Sequence, residues 1–560
     1  MVMTTISLQA LQQALGEQLS VEEISSALFD MGMELKGETE GMLSVEITPE
    51  RLDLVSVHGL ARAIAALLGK AGHPPRYLAS KSDYTVKITR EVDDVRPHTV
   101  CAVVKNLKLD ANRIEEIIEA QEKLHATLGR NRQRGAIGIY PLDAMTMPIT
   151  FTAGAPEEIV FRPLGAENEM SGSDILTDHE TGQAYKHLLD GKTKYPYFID
   201  ANGEILSMPP IINSEKTGRV NEKTTDLFIE CSGFEIDILE ELLVNITTMF
   251  ADMGGDVYHV NVVYPDGTVR ETPGLSPHKR TLTSASIRKY LGLDLDEKQV
   301  RTLLLKMMYD VHDKTTTDKD GNMIWTVDVP PFRFDVWHEV DIIDDIGRAY
   351  GFNNFRMTVP EVSSIGGVLD SSRIREEIAE ILVGLGFLET YTFAITTERD
   401  QHDTILIDSE DESYVPIANG NESQTMLRTR LLPELLKSLS HNRSRPLPQQ
   451  IFEGAFVTIP DETADVASRE ELRLSAMRID KTVTFTEIRQ VLEQVLRTRA
   501  ITPTFKAVDK PYFLEGRSAE VFIDDEYVGV VGELHPQVLA NAGLSNPVGA
   551  FEISLEQLFD

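Results

Sequence analysis

Four aspartates in one short segment carry the densest metal-ligating chemistry in the chain. In PPFRFDVWHEVDIIDDIGRAYGFNN, Asp335 precedes a helix expected from about Trp337 to Tyr350, and Asp341, Asp344 and Asp345 lie on that helix. Spacings of three and four residues put those three carboxylates on one helical face, and Asp335 reaches over the first turn. Converging carboxylate oxygens are what a hard cation such as Mg2+ requires. A plainer role also fits: acids in early turns oppose the helix dipole, and Asp344 stands four residues before Arg348 as an ordinary surface pair.

Other chemistries fail on spacing. Gly191-Lys192-Thr193 has the tail of a P-loop, but Lys186 stands where the loop needs its first glycine. Gly384-Leu385-Gly386 has Glu389 at the third glycine position of a dinucleotide fingerprint and follows a helix, so it reads as a helix C-cap. No Gly-x-Ser-x-Gly elbow occurs, and the 13 histidines lack His-x-x-x-His spacing. Simple hydrolase, P-loop and zinc chemistries are unsupported.

The elements that position these residues form an α+β, multidomain pattern. Leu8, Leu11, Leu15, Ile24 and Leu28 predict two short helices parted near Gly16, followed by a strand at Leu43–Ile47 and a helix from about Ser56 to Leu68. Gly72-His73-Pro74-Pro75 reads as a linker. The next region mixes helices (Asn112–Leu128, Phe234–Met253) with strands (Ala136–Tyr140, Pro196–Ile199, Asp226–Cys231 and one starting at His259). A third region has helices Ser284–Leu291 and Asp296–Met307 and a hairpin turning at Asp318–Gly321. From Pro360 the pattern gives a helix Ser372–Leu385, a strand Thr390–Ile395, a helix Leu432–Arg443, and strands to the end.

The 560 residues suit several domains, and 42% apolar with 26% charged residues suits ordinary cores. Fifty-four basic against 89 acidic side chains give a net charge of −35, which disfavours wholesale coating of a polyanion but leaves room for RNA held at one basic patch. Two cysteines, Cys101 and Cys231, make no disulfide framework and suit a reducing cytosol. The start, MVMTTISLQALQQALG, is no signal peptide, and no stretch is long enough to span a bilayer, so a cytoplasmic protein is expected.

Arg333-Phe334-Asp335, the three following aspartates and Ala349-Tyr350-Gly351 resemble the B5 domain of the phenylalanyl-tRNA synthetase β-subunit family. VEITPERLDLVSVHGLARAIA resembles that family's N-terminal stretch, with Glu50 where asparagine is usual. QEKLHATLGRNRQRGAIGIYPLD and ILSMPPIINSEKTGRV are similar to its archaeal and eukaryotic B3/B4 domain. FLEGRSAEVFIDDEYVGVVGELHPQVLANAGL resembles its synthetase-like core.

The resemblance implies domains at 1–80 (B1-like), 84–268 (B3/B4, editing), 271–355 (B5, winged-helix-like, with a Mg2+ site) and 360–560 (a class II synthetase-like antiparallel-sheet core lacking catalytic residues). It implies an (αβ)2 heterotetramer that charges tRNA(Phe) with phenylalanine using ATP at the α subunit. It implies metal ligands at Asp335, Asp341, Asp344 and Asp345. The bacterial oligonucleotide-binding insertion and anticodon-binding domain are not expected in this chain.

A phenylalanine pocket rejects tyrosine poorly, so the family's proofreading site needs polar groups that read the tyrosyl hydroxyl. Asn213, Ser214 and Glu215 after Pro209-Pro210, with Asp226 opposite, are the residues expected to do this; a turn followed by a solvated acid is the alternative. Lys123, His125, Arg130, Arg132 and Arg134 form the densest basic run, suited to tRNA phosphates or to a helix C-terminal dipole. In the C-terminal region Gln557 and Ser554 stand where a class II synthetase has its ATP-binding arginine and a glycine, so no synthetic activity is expected of this chain alone. A non-catalytic RNA-docking or assembly protein and a free-standing metal-dependent hydrolase are the competing readings.

Overall fold

The computed structural model describes residues 2–360, 364–408 and 412–558, which fold as two compact units, Met1–Thr358 and Val359–Asp560. In the first unit, Val2–Ser7 and Glu34–Thr39 flank Met42–Ile47 in an antiparallel sheet. Helices Leu8–Leu15, Val21–Asp30 and Val57–Leu67 accompany it. Gly16 stops the first helix in the left-handed region at φ 70°, a conformation that costs a Cβ-bearing residue more. Ser20 and Glu23 form a reciprocal capping box at the second.

Eleven strands make the next sheet. Its strand path ends at Gly135–Pro141 on one side and at the short strand Ile212–Asn213 on the other. Leu227–Gly233 lies antiparallel between His98–Lys105 and Gly135–Pro141, in a register that sets Glu230 opposite Cys101 and Gly138. Alternation sends Leu227, Ile229 and Cys231 into a core with helices Ala111–Ala126 and Ile236–Asp252, and sends Phe228 to the other face with Tyr140 and Phe151.

The third region centres on Met323–Val329, which pairs with His278–Thr283, Asp310–Val311 and Thr316–Thr317. Helices Ser284–Leu291, Glu297–Lys306 and Glu339–Tyr350 pack with it. All three regions contribute to one continuous apolar core, for instance Leu28, Leu243 and Trp325, and so they form a single unit.

The second unit is a seven-stranded sheet, antiparallel except where Leu388–Glu389 joins Gln449–Pro460 in parallel. Helices Asp370–Gly384 and Phe485–Arg497 share one core cluster; Leu432–His441 and Pro536–Asn541 share another. Two expectations fail here. The strand expected over Thr390–Ile395 is reduced to Leu388–Glu389 and Ile395–Thr396; between them the Thr392 amide donates to the Glu453 carboxylate at 3.3 Å and not to a neighbouring strand. The stretch expected as strands contains the helix Phe485–Arg497, opened by a Thr484–Glu487 capping box.

Candidate functional site

The open edge of Gly135–Pro141 leaves backbone donors and acceptors that must be satisfied. Side chains of helix Ala111–Ala126 do it: His125 Nε2 accepts from Ile137 N at 2.8 Å, and Gln121 Nε2 donates to Ile137 O at 2.7 Å. Across the gap, Asn213 Nδ2 points to Ile139 O at 3.5 Å. Between the two end strands and this helix lies a cavity of about 400 Å3, apolar through Ile117, Ile139 and Ile211, with Glu122, His125, Arg132 and Glu230 among its polar lining. That volume lies within the range of small-ligand sites and has room for an aromatic side chain.

Arg132 ties the cavity rim together. Its backbone is left-handed at φ 67°, its guanidinium donates to Glu122 Oε1 at 2.9 Å and to Ile211 O at 3.1 Å, and it lies 4.2 Å from the centre of the Tyr185 ring. Burial pushes the Glu122 carboxyl up, but hydrogen bonds from His125 and Arg132 outweigh it and hold the group at about 2. Burial lowers the pKa of His125, and its accepting Nε2 puts the ring proton on Nδ1, 3.2 Å from Glu122 Oε1. Both ring nitrogens are thereby committed to protein partners.

Glu230 is only 2% exposed. Burial pushes its carboxyl up to about 7, offset only in part by Arg96, Ser232 and Tyr140. Tyr140 Oη lies 3.2 Å from Glu230 Oε1 and 2.7 Å from Ser207 Oγ, while Glu230 Oε2 has no hydrogen-bond partner. Glu230 Oε2 is thus a buried acceptor left unpaired by the protein, on a residue that helps to line the cavity.

The structure brings only part of the expected set to this cavity. Asn213 lines it. Ser214 is buried, its amide donating to Leu206 O at 2.7 Å. Glu215 is held by Arg219 at 2.5 and 2.8 Å and accepts from Gly165 N; Arg219, first among the causes, keeps it at about 2. Asp226 accepts from Asn106 N at 3.1 Å and is not among the lining residues. Glu230 and Glu122 were missed. The available signal for Glu230 was a lone acid inside the apolar strand LFIECSG.

The basic run divides as well. His125 is buried and neutral, Arg132 is engaged as described, and Arg134 forms a two-pronged pair with Glu235 at 2.7 and 2.6 Å. Lys123 and Arg130 make no side-chain hydrogen bond or ion pair among the described residues, and Arg130 is exposed.

The four aspartates do not converge. Arg333, 2% exposed, donates to both oxygens of Asp335 at 2.8 Å and to Asp345 Oδ2 at 2.6 Å, and Tyr309 Oη donates to Asp345 Oδ2 at 2.5 Å. Asp341 accepts from the amides of Trp337 and His338 at 2.8 and 2.7 Å, capping the helix. Asp344 accepts from Arg348 Nε at 2.8 Å on the surface. Among the described residues no three His, Cys, Asp or Glu side chains are grouped as a metal requires. As placed here, a guanidinium supplies the positive charge between Asp335 and Asp345, while Asp341 and Asp344 are engaged by the helix's own amides and by Arg348.

In the second unit the polar face of the sheet is filled by its own ion pairs. Arg428 is 4% exposed and donates to Glu453 Oε1 at 2.8 Å; Arg473 pairs with Glu471 and Glu552 at 2.8 and 3.1 Å; Arg430 pairs with Glu412. Gln557 lies in the short turn Glu556–Leu558 after strand Val548–Ser554.

Residues 280–352 match the family model described as tRNA synthetase B5 domain, and residues 356–555 match phenylalanyl tRNA synthetase beta chain CLM domain. The phenylalanine–tRNA ligase beta subunit of Thermococcus sibiricus is 35% identical over 555 residues, covering 98% of this chain and 97% of that protein. The one from Archaeoglobus fulgidus is 36% identical, covering 96% of each. A solved N-terminal fragment of the Pyrococcus horikoshii phenylalanyl-tRNA synthetase beta subunit is 37% identical with a TM-score of 0.59, covering 62% of this chain and all of the fragment.

Proposed function

The chain belongs to the family of phenylalanine–tRNA ligase beta subunits, and we propose from that premise that it works in the cytoplasm with an α subunit, as an (αβ)2 tetramer, in attaching phenylalanine to tRNA(Phe) with ATP. Its own chemistry is hydrolysis of mischarged Tyr-tRNA(Phe) in the cavity of the 84–268 region, the B3/B4 domain. The observation that carries this reading is Glu230: a buried carboxyl lining a cavity with room for an aromatic side chain, whose Oε2 is unpaired in the protein and would accept from a tyrosyl hydroxyl brought against it. Phenylalanine lacks that donor, so binding it would leave the carboxyl unpaired.

Asn213 and the Arg132-held rim position the aminoacyl end. Lys123 and Arg130 are free to meet acceptor-stem phosphates, whereas Arg132 and Arg134 act within the protein. Glu215 and Asp226 serve local structure in this reading. Glu215→Ala is expected to leave deacylation within about threefold, whereas Asn213→Ala should slow it ~10-fold, the value of one lost hydrogen bond. Rates of [14C]Tyr-tRNA(Phe) hydrolysis by the two tetramers decide between them.

The 360–560 region acts as a synthetase-like platform without synthesis. Its arginines are spent on Glu453, Glu471, Glu552 and Glu412, and Gln557 carries no charge for a triphosphate. The purified chain should give no phenylalanine-dependent ATP–pyrophosphate exchange, and exchange should appear on adding the α subunit. Exchange by the chain alone would overturn this assignment. Mg2+ enters with ATP at the α subunit, while the carboxylates of Asp335, Asp341, Asp344 and Asp345 face different partners within the protein. Co-expression with and without α, scored by Phe charging and Tyr-tRNA(Phe) hydrolysis, tests the whole reading.

A further inference from the structure

A second cavity, of about 330 Å3, lies within the first unit and is acidic and aromatic. Glu50, Asp53, Glu241 and Asp335 line it with Phe334 and Trp337, and no basic residue does. Asp53 and Asp335 are matched from behind by Arg51 and Arg333. Glu50 and Glu241 make no side-chain hydrogen bond or ion pair among the described residues. Asn245, four residues after Glu241 on the same helical face, is only 9% exposed. Its Nδ2 donates to Glu241 O at 2.9 Å, which leaves Oδ1, buried and without a partner, as its free end.

Every uncommitted polar atom at this cavity is therefore an acceptor. Asn245 Oδ1, the one orphaned buried acceptor among them, calls for a donor, and the carboxylates beside it, Glu241 half-buried and Glu50 exposed, call for that donor to be positive. A compact metal ion is not what the spacing suits, since no three of these side chains group as metal ligands. The aromatic faces of Phe334 and Trp337 suit a delocalised or alkylated cation.

We propose that this cavity binds a guanidinium or primary ammonium group on a short aliphatic stem, supplied by a basic side chain of a protein or by a free polyamine. Glu241 and Glu50 take its charge, Asn245 Oδ1 accepts one of its hydrogens, and Trp337 packs on its stem. Burial without a matching cation already pushes Glu241 up to about 7, with Arg134 offsetting only part.

The test uses Trp337, one of only two tryptophans; it is 70% exposed, whereas Trp325 is buried. The full chain, assembled with its α subunit if one is available, is titrated at low salt with agmatine, spermidine and uncharged n-butylurea while tryptophan fluorescence is followed. Saturable change with agmatine or spermidine, none with n-butylurea, and at least tenfold weaker binding in both Glu241→Gln and Glu50→Asn is the expected result. Preference for agmatine assigns the source to an arginine side chain, and preference for spermidine assigns it to a polyamine. Trp337→Phe should bind in calorimetry without the optical change. Equal response to n-butylurea, or agmatine and spermidine binding untouched by Glu241→Gln, would overturn the proposal.

Discussion

Replacing Arg333 with Ala is expected to destabilise the first unit by about 3–5 kcal/mol, well beyond the effect of an ordinary substitution. Arg333 is the shared partner of Asp335 and Asp345, all of them buried or nearly so. Removing it strands two carboxylates in a low-dielectric site beside Tyr309. The triple change Arg333→Met, Asp335→Asn, Asp345→Asn should recover a good part of the loss, because it removes the stranded charges too. Trp325, buried in the same core, gives the fluorescence signal for denaturant unfolding of this unit. A loss below about 1 kcal/mol in Arg333→Ala, the size of an ordinary substitution, would show that the pair is solvated and the cluster incidental.

The same cluster sets a pH dependence. Burial raises the Asp335 pKa, but Arg333 and Arg51 outweigh it and hold the carboxyl below its usual range. A depressed carboxylate contributes stability that is fully present above the unfolded value, ~3.9, and is lost as pH falls through the folded value. Wild type should therefore lose stability below about pH 4 more steeply than the neutral triple variant, whose cluster has nothing left to protonate.

Replacing Glu230 with Ala should slow hydrolysis of Tyr-tRNA(Phe) ~10–100-fold, matching ~1.5–3 kcal/mol for a hydrogen bond to a charged group, while phenylalanine charging stays within about twofold. The proposed division of labour puts the synthetic site on the α subunit, so the two readouts are separable. Glu230→Gln keeps the shape and removes the titration. The carboxylate accepts from a phenol more strongly than the neutral acid does, and it becomes the main form above about 7 for this buried group. The ratio of wild-type to Glu230→Gln rates should accordingly rise from pH 6 to pH 8 and level off above. A flat ratio would mean that Glu230 does not meet the substrate, and an unchanged rate in Glu230→Ala would move the tyrosine-reading group elsewhere in the cavity.

The sequence by itself determined what is local and what repeats along the chain. Helices Ser284–Leu291 and Glu339–Tyr350, the strand Met323–Val329 and the stop at Gly16 follow from periodicity, caps and the freedom of glycine, which depend on near neighbours. The helix Phe485–Arg497 was missed: its Thr484–Glu487 capping box is a local signal, but it lies between strands and the stretch was read as strands throughout. The family resemblance, carried by motifs spread over the whole chain, was legible too.

Only the tertiary structure decided which charges stand free. Helical spacing set Asp341, Asp344 and Asp345 on one face, but Arg333, 12 positions before Asp345 in sequence, takes one of them while amides and Arg348 take the others. Arg132 looked like a phosphate ligand and is a rim clamp because Glu122 and Ile211 O come to it across the fold. Glu215 was expected in the editing row, and the fold shows it paired with Arg219 one turn away. Glu230 passed unnoticed inside the strand read over Asp226–Cys231, and it became the candidate reader of a hydroxyl only when the two ends of the eleven-stranded path left a cavity beside it. Burial and long-range pairing fix a charged group's role, and both depend on which distant segments meet, which a local pattern of residue types does not encode.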